Sequence, residues 1–251
     1  GVSDVVVGDP VYGPADYKNH ASAGAADYAI LYHWERLPEG LSHTDAAALP
    51  MAVETAARYL DWSGLQEDQT VLIHGAGTMV GLAAVQMALL RGAQVVATAG
   101  ETFAHRLRSV GARVVAHGDG MLERVRAMSD DVPDVVIDVV IDVSPVNLQT
   151  GSASVLPTLV ELVGGDAARV ITIADFAEAA KLGVRTGAEN VEKEGGFRLR
   201  WDVLGDYGRL AAEDRFFIPV ARTFALDAWR DALDISLAGR ARGKLVLLPG
   251  Q

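Results

Sequence analysis

The stretch Val71-Leu72-Ile73-His74-Gly75-Ala76-Gly77-Thr78-Met79-Val80-Gly81 constrains this chain more than any other. Apolar strand-forming residues run into glycines, and an apolar helical segment from Val80 to Leu90 follows, closed by Gly92. A strand that turns straight into a helix leaves the first N–H groups of that helix unpaired. Small residues at the turn let the backbone approach a diphosphate, and the helix dipole stabilises its charge. The spacing departs from Gly-x-Gly-x-x-Gly. Counted from Gly75 it reads Gly-x-Gly-x-x-x-Gly; counted back from Gly81, Ala76 is first and Thr78 is in the middle. A tight turn packed on its own helix explains such glycines too. The position of the turn, on the first strand of a βαβ series, favours a dinucleotide.

The series continues with strands at Val95-Val96-Ala97, Val114-Val115, Val135–Val143 and Val170–Ile173. Helical segments at Phe103–Val110, Met121–Met128 and Leu156–Val163 lie between them. Near-continuous Val/Ile runs indicate strands buried on both faces, hence a doubly wound α/β domain around a parallel sheet. Residues 1–50 differ in texture: short apolar runs such as Val5-Val6-Val7 are cut by Gly, Pro and Asp, which predicts a meander of short strands. Ser42 and Asp45 have capping-box spacing, and Pro50 opens a helix to about Trp62, closed by Gly64. After the Ala- and Glu-rich segment Asp175–Glu194 come a turn at Gly195-Gly196 and a helix over 203–212. A strand at Phe216–Val220, a helix capped by Asp227 and running to about Leu237, and a strand at Leu245–Leu248 complete the pattern. The expected division is a β-rich domain over 1–50, a nucleotide-binding domain over 51–204, and a return over 205–251 to the first domain.

Composition removes several function classes. The 251 residues carry a formal net charge of −11, which repels nucleic acid and anionic membranes. No apolar run approaches the roughly 18 residues of a membrane span. The absence of cysteine excludes disulfides, thiolate metal sites and a cysteine nucleophile, and it fits a cytoplasmic location. The six histidines show no helical i, i+4 pair, so no metal is expected. No Gly-x-Ser-x-Gly elbow and no Walker A pattern occurs. The chain opens at Gly1 with neither initiator Met nor signal peptide, which suggests the interior of a longer sequence.

Cofactor choice is read at the end of the second strand, Ala97-Thr98-Ala99-Gly100. A carboxylate there would select NAD; small neutral residues leave room for the 2′-phosphate of NADP, with Glu101 the rival acid. Arg106 and His117 are the cations placed to meet that phosphate, so NADPH is expected over NADH. Asp138 and Asp142 share a strand face but lie more than ~13 Å apart, so capping suits them better than paired catalysis. His74 reads as a positioned structural residue, and the four tryptophans as core or interface fillers.

Five features, in order, resemble the medium-chain dehydrogenase/reductase superfamily, in its zinc-independent quinone oxidoreductase-like branch. They are Val7-Gly8-Asp9-Pro10-Val11; Ala26-Asp27-Tyr28 before Leu37-Pro38-Glu39-Gly40; Ala47-Ala48-Leu49-Pro50 with Thr55-Ala56; the glycine turn; and Gly239-Arg240-Ala241-Arg242-Gly243-Lys244-Leu245-Val246-Leu247. The resemblance implies a partial GroES-like domain, discontinuous in sequence, and a Rossmann domain. It implies hydride transfer from NADPH to a small-molecule quinone, enone or similar acceptor, and a homodimer. Carried over, the backbone of Gly77, Thr78, Met79 and Val80 would hold the pyrophosphate, and Thr98 and Ala99 would border the ribose. Thr55, Val143-Ser144 and Ile173-Ala174 would lie near the nicotinamide. Three departures stand out: Thr78-Met79 replaces the usual glycine pair, Met51 occupies the position of a zinc-ligating cysteine, and the family's opening strands are missing. No residue is marked as proton donor. A non-catalytic NADPH-binding protein, or a Rossmann-like methyltransferase with Glu101 on the ribose of S-adenosylmethionine, are the alternatives.

Overall fold

The computed structural model describes residues 2–21, 23–131, 137–144, 153–193 and 198–250. They form two compact units, one of Gly1–Glu54 with Arg200–Gln251 and one of Thr55–Leu199.

The first unit opens with β1 (Val11–Tyr12) and β2 (Glu35–Arg36), an antiparallel pair. The expected meander is thus reduced to two two-residue strands. Val5-Val6-Val7 is irregular because a turn intervenes. Asp9 N–H donates to Val6 O, the Asp9 carboxylate accepts from Val6 N–H, and Gly8 takes φ +100°. Local side-chain bonding to the backbone outcompetes strand propensity there. Helix α1 (His43–Ala48) is capped by Ser42, whose hydroxyl accepts from Asp45 N–H at 3.0 Å and donates to the Asp45 carboxylate at 2.6 Å. The shorter Asp meets the hydroxyl where a Glu would reach back to the N-cap. Helix α2 (Pro50–Ser63) starts on Pro50, and Gly64 beyond it takes φ +76°.

The second unit is built on β3 (Thr70–His74), α3 (Met79–Leu90), β4 (Gln94–Thr98), α4 (Glu101–Ser109), β5 (Arg113–Val115), α5 (Met121–Asp131), β6 (Val139–Asp142), α6 (Leu156–Leu162) and β7 (Val170–Thr172). The strands are parallel, in the order β5-β4-β3-β6-β7, so the winding reverses beside β3. A crevice at the carboxyl ends of the strands at such a reversal is where α/β sheets hold ligands. Beyond β7 an isolated parallel bridge pairs Ile171 with Arg185. Val71, Leu72, Ile73, Val140 and Ile141 are fully buried, as their unbroken apolar runs require. Helix α3 is apolar all round, and Gly81 to Ala88 are buried without a break. Of the strand expected over Val135–Val143, the described residues 137–143 form β6 at Val139–Asp142; residues 132–136 lie outside the described residues, as does the turn expected at Gly195-Gly196. Asp138 precedes β6, and its carboxylate accepts from Thr70 N–H at 2.7 Å. Helices α7 (Phe176–Leu182) and α8 (Ala188–Lys193) follow.

The chain returns to the first unit with α9 (Leu204–Ala212), β8 (Val220–Ala225), α10 (Trp229–Leu237) and β9 (Lys244–Leu248). Tyr12 donates its hydroxyl to Leu204 O at 2.9 Å, joining the two halves of the unit. Two expectations need correction. The strand placed at Phe216–Val220 begins only at Val220: Pro219 has no N–H to give a ladder, and Phe216 is a core residue packed on Tyr207 at 4.9 Å. Asp227 is not a helix cap, because it lies inside a 3-10 turn, Leu226–Ala228, and α10 starts after Ala228 without a side-chain cap.

Candidate cofactor site

The turn between β3 and α3 is held by its own side chains. Gly75 takes φ +80°, a backbone state closed to most side chains, and a Cβ there would stand 2.7 Å from Ser144 Cα. At Gly81 a Cβ would meet Gly75 O at 2.4 Å, so the helix packs on the turn only because residue 81 lacks one. Gly77 is different: the nearest atom to its hypothetical Cβ is Phe103 Cδ2 at 3.6 Å, an ordinary contact. The fold does not require that glycine. It leaves open backbone.

Thr78 is the N-cap of α3, at φ −78° and ψ 160°, which any residue adopts. Its hydroxyl donates to Gly75 O at 2.9 Å and accepts from Gly81 N–H at 3.0 Å, while its own N–H donates to Gly75 O. The amide of Thr78 is therefore turned into the loop. Ala76 N–H is also spent, on Thr98 O at 2.9 Å. No acceptor among the described residues takes the N–H of Gly77, Met79 or Val80. Three amides at the positive end of a buried helix are the part of the turn available to an anion. The substitution of Thr78-Met79 for glycines is accommodated because the N-cap needs no left-handed backbone.

Below the turn lies a polar seam along the strand ends. Thr98 is fully buried, and its hydroxyl meets His74 Nδ1 at 2.7 Å and Gly75 N–H at 3.2 Å. It fixes the turn and presents no side chain outward; Ala99 beside it is buried too. Asp142, 1% exposed, accepts from Ser144 N–H, from the Ser144 hydroxyl at 2.7 Å and from the Thr172 hydroxyl at 2.8 Å. Val143 N–H donates to His74 O and Ile173 N–H to Asp142 O, while Thr172 Oγ1 accepts from Ala174 N–H. The ends of β3, β6 and β7 are thereby stitched together. Burial holds His74 below its ordinary pKa, partly offset by the Asp142 charge and reinforced by His117, so its ring is neutral at pH 7. His74, His117, Asp142 and Ser144 line a cavity of about 880 Å3 at these strand ends.

At the end of β4, Gly100 faces His117: a Cβ on Gly100 would lie 3.5 Å from His117 Nε2. The His117 side chain is exposed there. Arg106 lies on the exposed side of α4, past its first turn. Thr55 and Ile173, both half-buried, line a second cavity of about 560 Å3 in the same unit. Trp62 is the buried core residue that the sequence predicts, and it also borders this cavity; the remaining walls have no mark in the sequence beyond the i, i+4, i+7 spacing of Thr55, Tyr59 and Trp62. Met51 is 52% exposed, and no cluster of three His, Asp or Glu side chains suited to a metal ion occurs among the described residues.

Comparison with known proteins adds a lineage. A family model described as zinc-binding dehydrogenase matches residues 110–247. A mycocerosic acid synthase-like polyketide synthase of Mycobacterium tuberculosis is 30% identical over 98% of this chain and 12% of its own length. The 2-methylene-furan-3-one reductase of Solanum lycopersicum is 32% identical over 54% of this chain and 35% of its own. The chain thus spans about an eighth of that synthase and about a third of that reductase. The quinone oxidoreductase from Coxiella burnetii, 23% identical, superposes with a TM-score of 0.71 over 98% of this chain and 74% of that one, which shows a shared fold.

Proposed function

The chain belongs to the zinc-binding dehydrogenase family, and from that premise we propose that it is an NADPH-dependent, zinc-independent reductase of quinones, enones or similar conjugated carbonyl compounds. The observation that carries the reading is the glycine turn, where the free amides of Gly77, Met79 and Val80 surround a backbone position that the protein's own packing leaves open. That is what a diphosphate needs and what a turn serving only the fold would not keep.

Support for NADPH over NADH is the neutral end of β4 with His117 beside Gly100. Support for zinc independence is Met51 in place of a thiolate and the complete absence of cysteine. Acceptors of this class include the conjugated ketone for which the tomato 2-methylene-furan-3-one reductase is named. A dinucleotide held at the turn would supply hydride chemistry toward an electrophilic carbon of the acceptor, with the balancing proton taken up from solvent. The protein's part is orientation. The free amides of the turn would hold the diphosphate, Asp142 fixes Ser144 and the end of β7, and Thr55 and Ile173 would flank the nicotinamide. No side chain is assigned as proton donor.

Thermal melting with NADPH, NADH and S-adenosylmethionine tests the assignment, followed by NADPH consumption against a quinone and enone panel. A ligand at a hundred times its Kd adds about 2.7 kcal/mol of stability. The expected result is the largest shift with NADPH and turnover with at least one acceptor. Stabilisation by S-adenosylmethionine alone would overturn the reading, and NADPH binding without turnover would leave a cofactor-binding protein.

A further inference from the structure

The loop 116–120 joins β5 to α5 and borders the cavity of about 880 Å3 through His117, Gly118, Asp119 and Gly120. Little in its own sequence holds it in one shape. Gly118 takes φ +84° and Gly120 φ +73°, every residue from Ala116 to Gly120 is exposed, and a Cβ on Gly118 would meet nothing within 4 Å. Glycines lose the most conformational freedom on ordering. The loop is ordered by one side chain from the first turn of α5. Arg124 donates Nε to Ala116 O at 3.1 Å, and Nη2 to Ala116 O at 2.9 Å, His117 O at 3.2 Å and Gly118 O at 3.3 Å. Its Nη1 donates to Asp119 O at 2.8 Å. Four consecutive carbonyls converge on one cation, a pattern that needs the fixed planar fork of a guanidinium. Arg124 is not among the residues that line the cavity. It sets from behind the place of His117, whose Nε2 lies 3.5 Å from a Cβ built on Gly100.

We propose that Arg124 is a positioning residue for cofactor selectivity: by gathering the carbonyls of 116–119 it keeps His117 facing Gly100, and the preference for NADPH over NADH depends on it. The inference rests on the NADPH reading of the site, with His117 meeting the ribose 2′-phosphate, and names what makes that contact possible. An exposed contact to a phosphate is weak, and ordering a free loop at the moment of binding would cancel it. A loop already ordered by Arg124 carries no such cost. NADH lacks the phosphate, so its affinity does not register where His117 stands. A residue that only stabilised the fold would change both cofactors alike. Arg124 also brings a positive charge that a phosphate feels through space, and Arg124→Lys separates the two effects, since lysine keeps the charge and lacks the fork.

The test is fluorescence titration of the full chain with NADPH and with NADH, in the parent, His117→Ala, Arg124→Lys, Arg124→Gln and the double variant His117→Ala with Arg124→Lys. The ratio of NADPH to NADH affinity is expected to fall by up to roughly fivefold in His117→Ala and by the same factor in both Arg124 variants. The double variant should lose no more than His117→Ala alone, because the two residues act as one unit. NADH affinity should stay constant throughout, and the NADPH-induced melting shift should shrink with the ratio. A ratio retained in Arg124→Lys would assign the effect to charge and overturn the proposal. Equal losses of both cofactors in the Arg124 variants, or losses that multiply in the double variant, would overturn it too. In each of these cases a ratio that still falls in His117→Ala leaves the NADPH reading standing. A parent without preference for NADPH removes that reading and this proposal together.

Discussion

His74 Nδ1 and Thr98 Oγ1 lie 2.7 Å apart, joining the carboxyl ends of the two neighbouring strands β3 and β4 directly beneath the glycine turn. The same hydroxyl accepts from Gly75 N–H, so one buried oxygen holds both the strand end and the first residue of the turn. Thr98→Val keeps the shape and leaves Gly75 N–H and His74 Nδ1 without that partner. The expected cost is about 1–3 kcal/mol, read as a lower urea midpoint with an unchanged slope. Cofactor-induced stabilisation should shrink with it, because the turn loses its anchor.

The neutral state of His74 makes stability depend on pH. Its pKa in the folded chain is depressed, mainly by burial, below the 6.5 of an unperturbed histidine. As pH falls through 6.5 the unfolded chain takes up this proton first, so the unfolded state is favoured. The contribution is complete above 6.5 and is lost from there down toward the folded value, at no more than about 1.4 kcal/mol per pH unit for one proton. His74→Asn cannot titrate there. The urea midpoint of the variant should change less between pH 7.5 and 5.5 than that of the parent, and an identical change in both would exclude His74 as the source.

Two glycines of the turn separate folding from binding. Gly81→Ala forces a Cβ to within 2.4 Å of Gly75 O and 2.7 Å of Ala76 Cα, both backbone atoms that cannot swing aside. It should destabilise the unliganded chain by roughly 1–3 kcal/mol, the usual cost of overpacking. Gly77→Ala meets nothing closer than Phe103 at 3.6 Å, and its unliganded stability should change by less than about 0.5 kcal/mol. Its affinity for NADPH should nevertheless drop by roughly tenfold or more. Retained affinity in Gly77→Ala would place the diphosphate elsewhere.

The sheet was legible in the sequence because its strands are buried on both faces, so Val71–Ile73, Val95–Ala97 and Val140–Ile141 write their burial as unbroken apolar runs. Helix ends were legible where one residue dictates them, as at Pro50 and Gly64. The first 50 residues were not, because Val5-Val6-Val7 has strand propensity while the Asp9 carboxylate and Gly8 impose a turn that composition alone does not announce. The same holds at Phe216, where burial against Tyr207 looks in sequence like a strand. Within the site, the turn was visible as glycines. Which of its amides remain free was not, since that depends on Thr78 and Thr98 reaching across the loop. The cavity beside Thr55 was invisible because Phe176, Gly187 and Val191 join Tyr59 and Trp62 only through the path of the chain beyond β7.

Cofactor selectivity tests the remaining part of the site. His117 faces Gly100 at the end of β4, where the 2′-phosphate would arrive, and it is exposed to solvent. An exposed ion pair is worth about 0.2–1 kcal/mol, which corresponds to at most roughly fivefold in affinity. His117→Ala should therefore weaken NADPH by that factor and leave NADH unchanged, and the difference between parent and variant should fade as salt rises and screens the charge. Arg106→Ala, on the exposed side of α4, provides the comparison: a larger loss there than at His117 would move the phosphate contact onto that helix. Equal losses of NADPH and NADH in His117→Ala would mean that the residue shapes the loop 116–119, whose carbonyls Arg124 already gathers, instead of reading the phosphate.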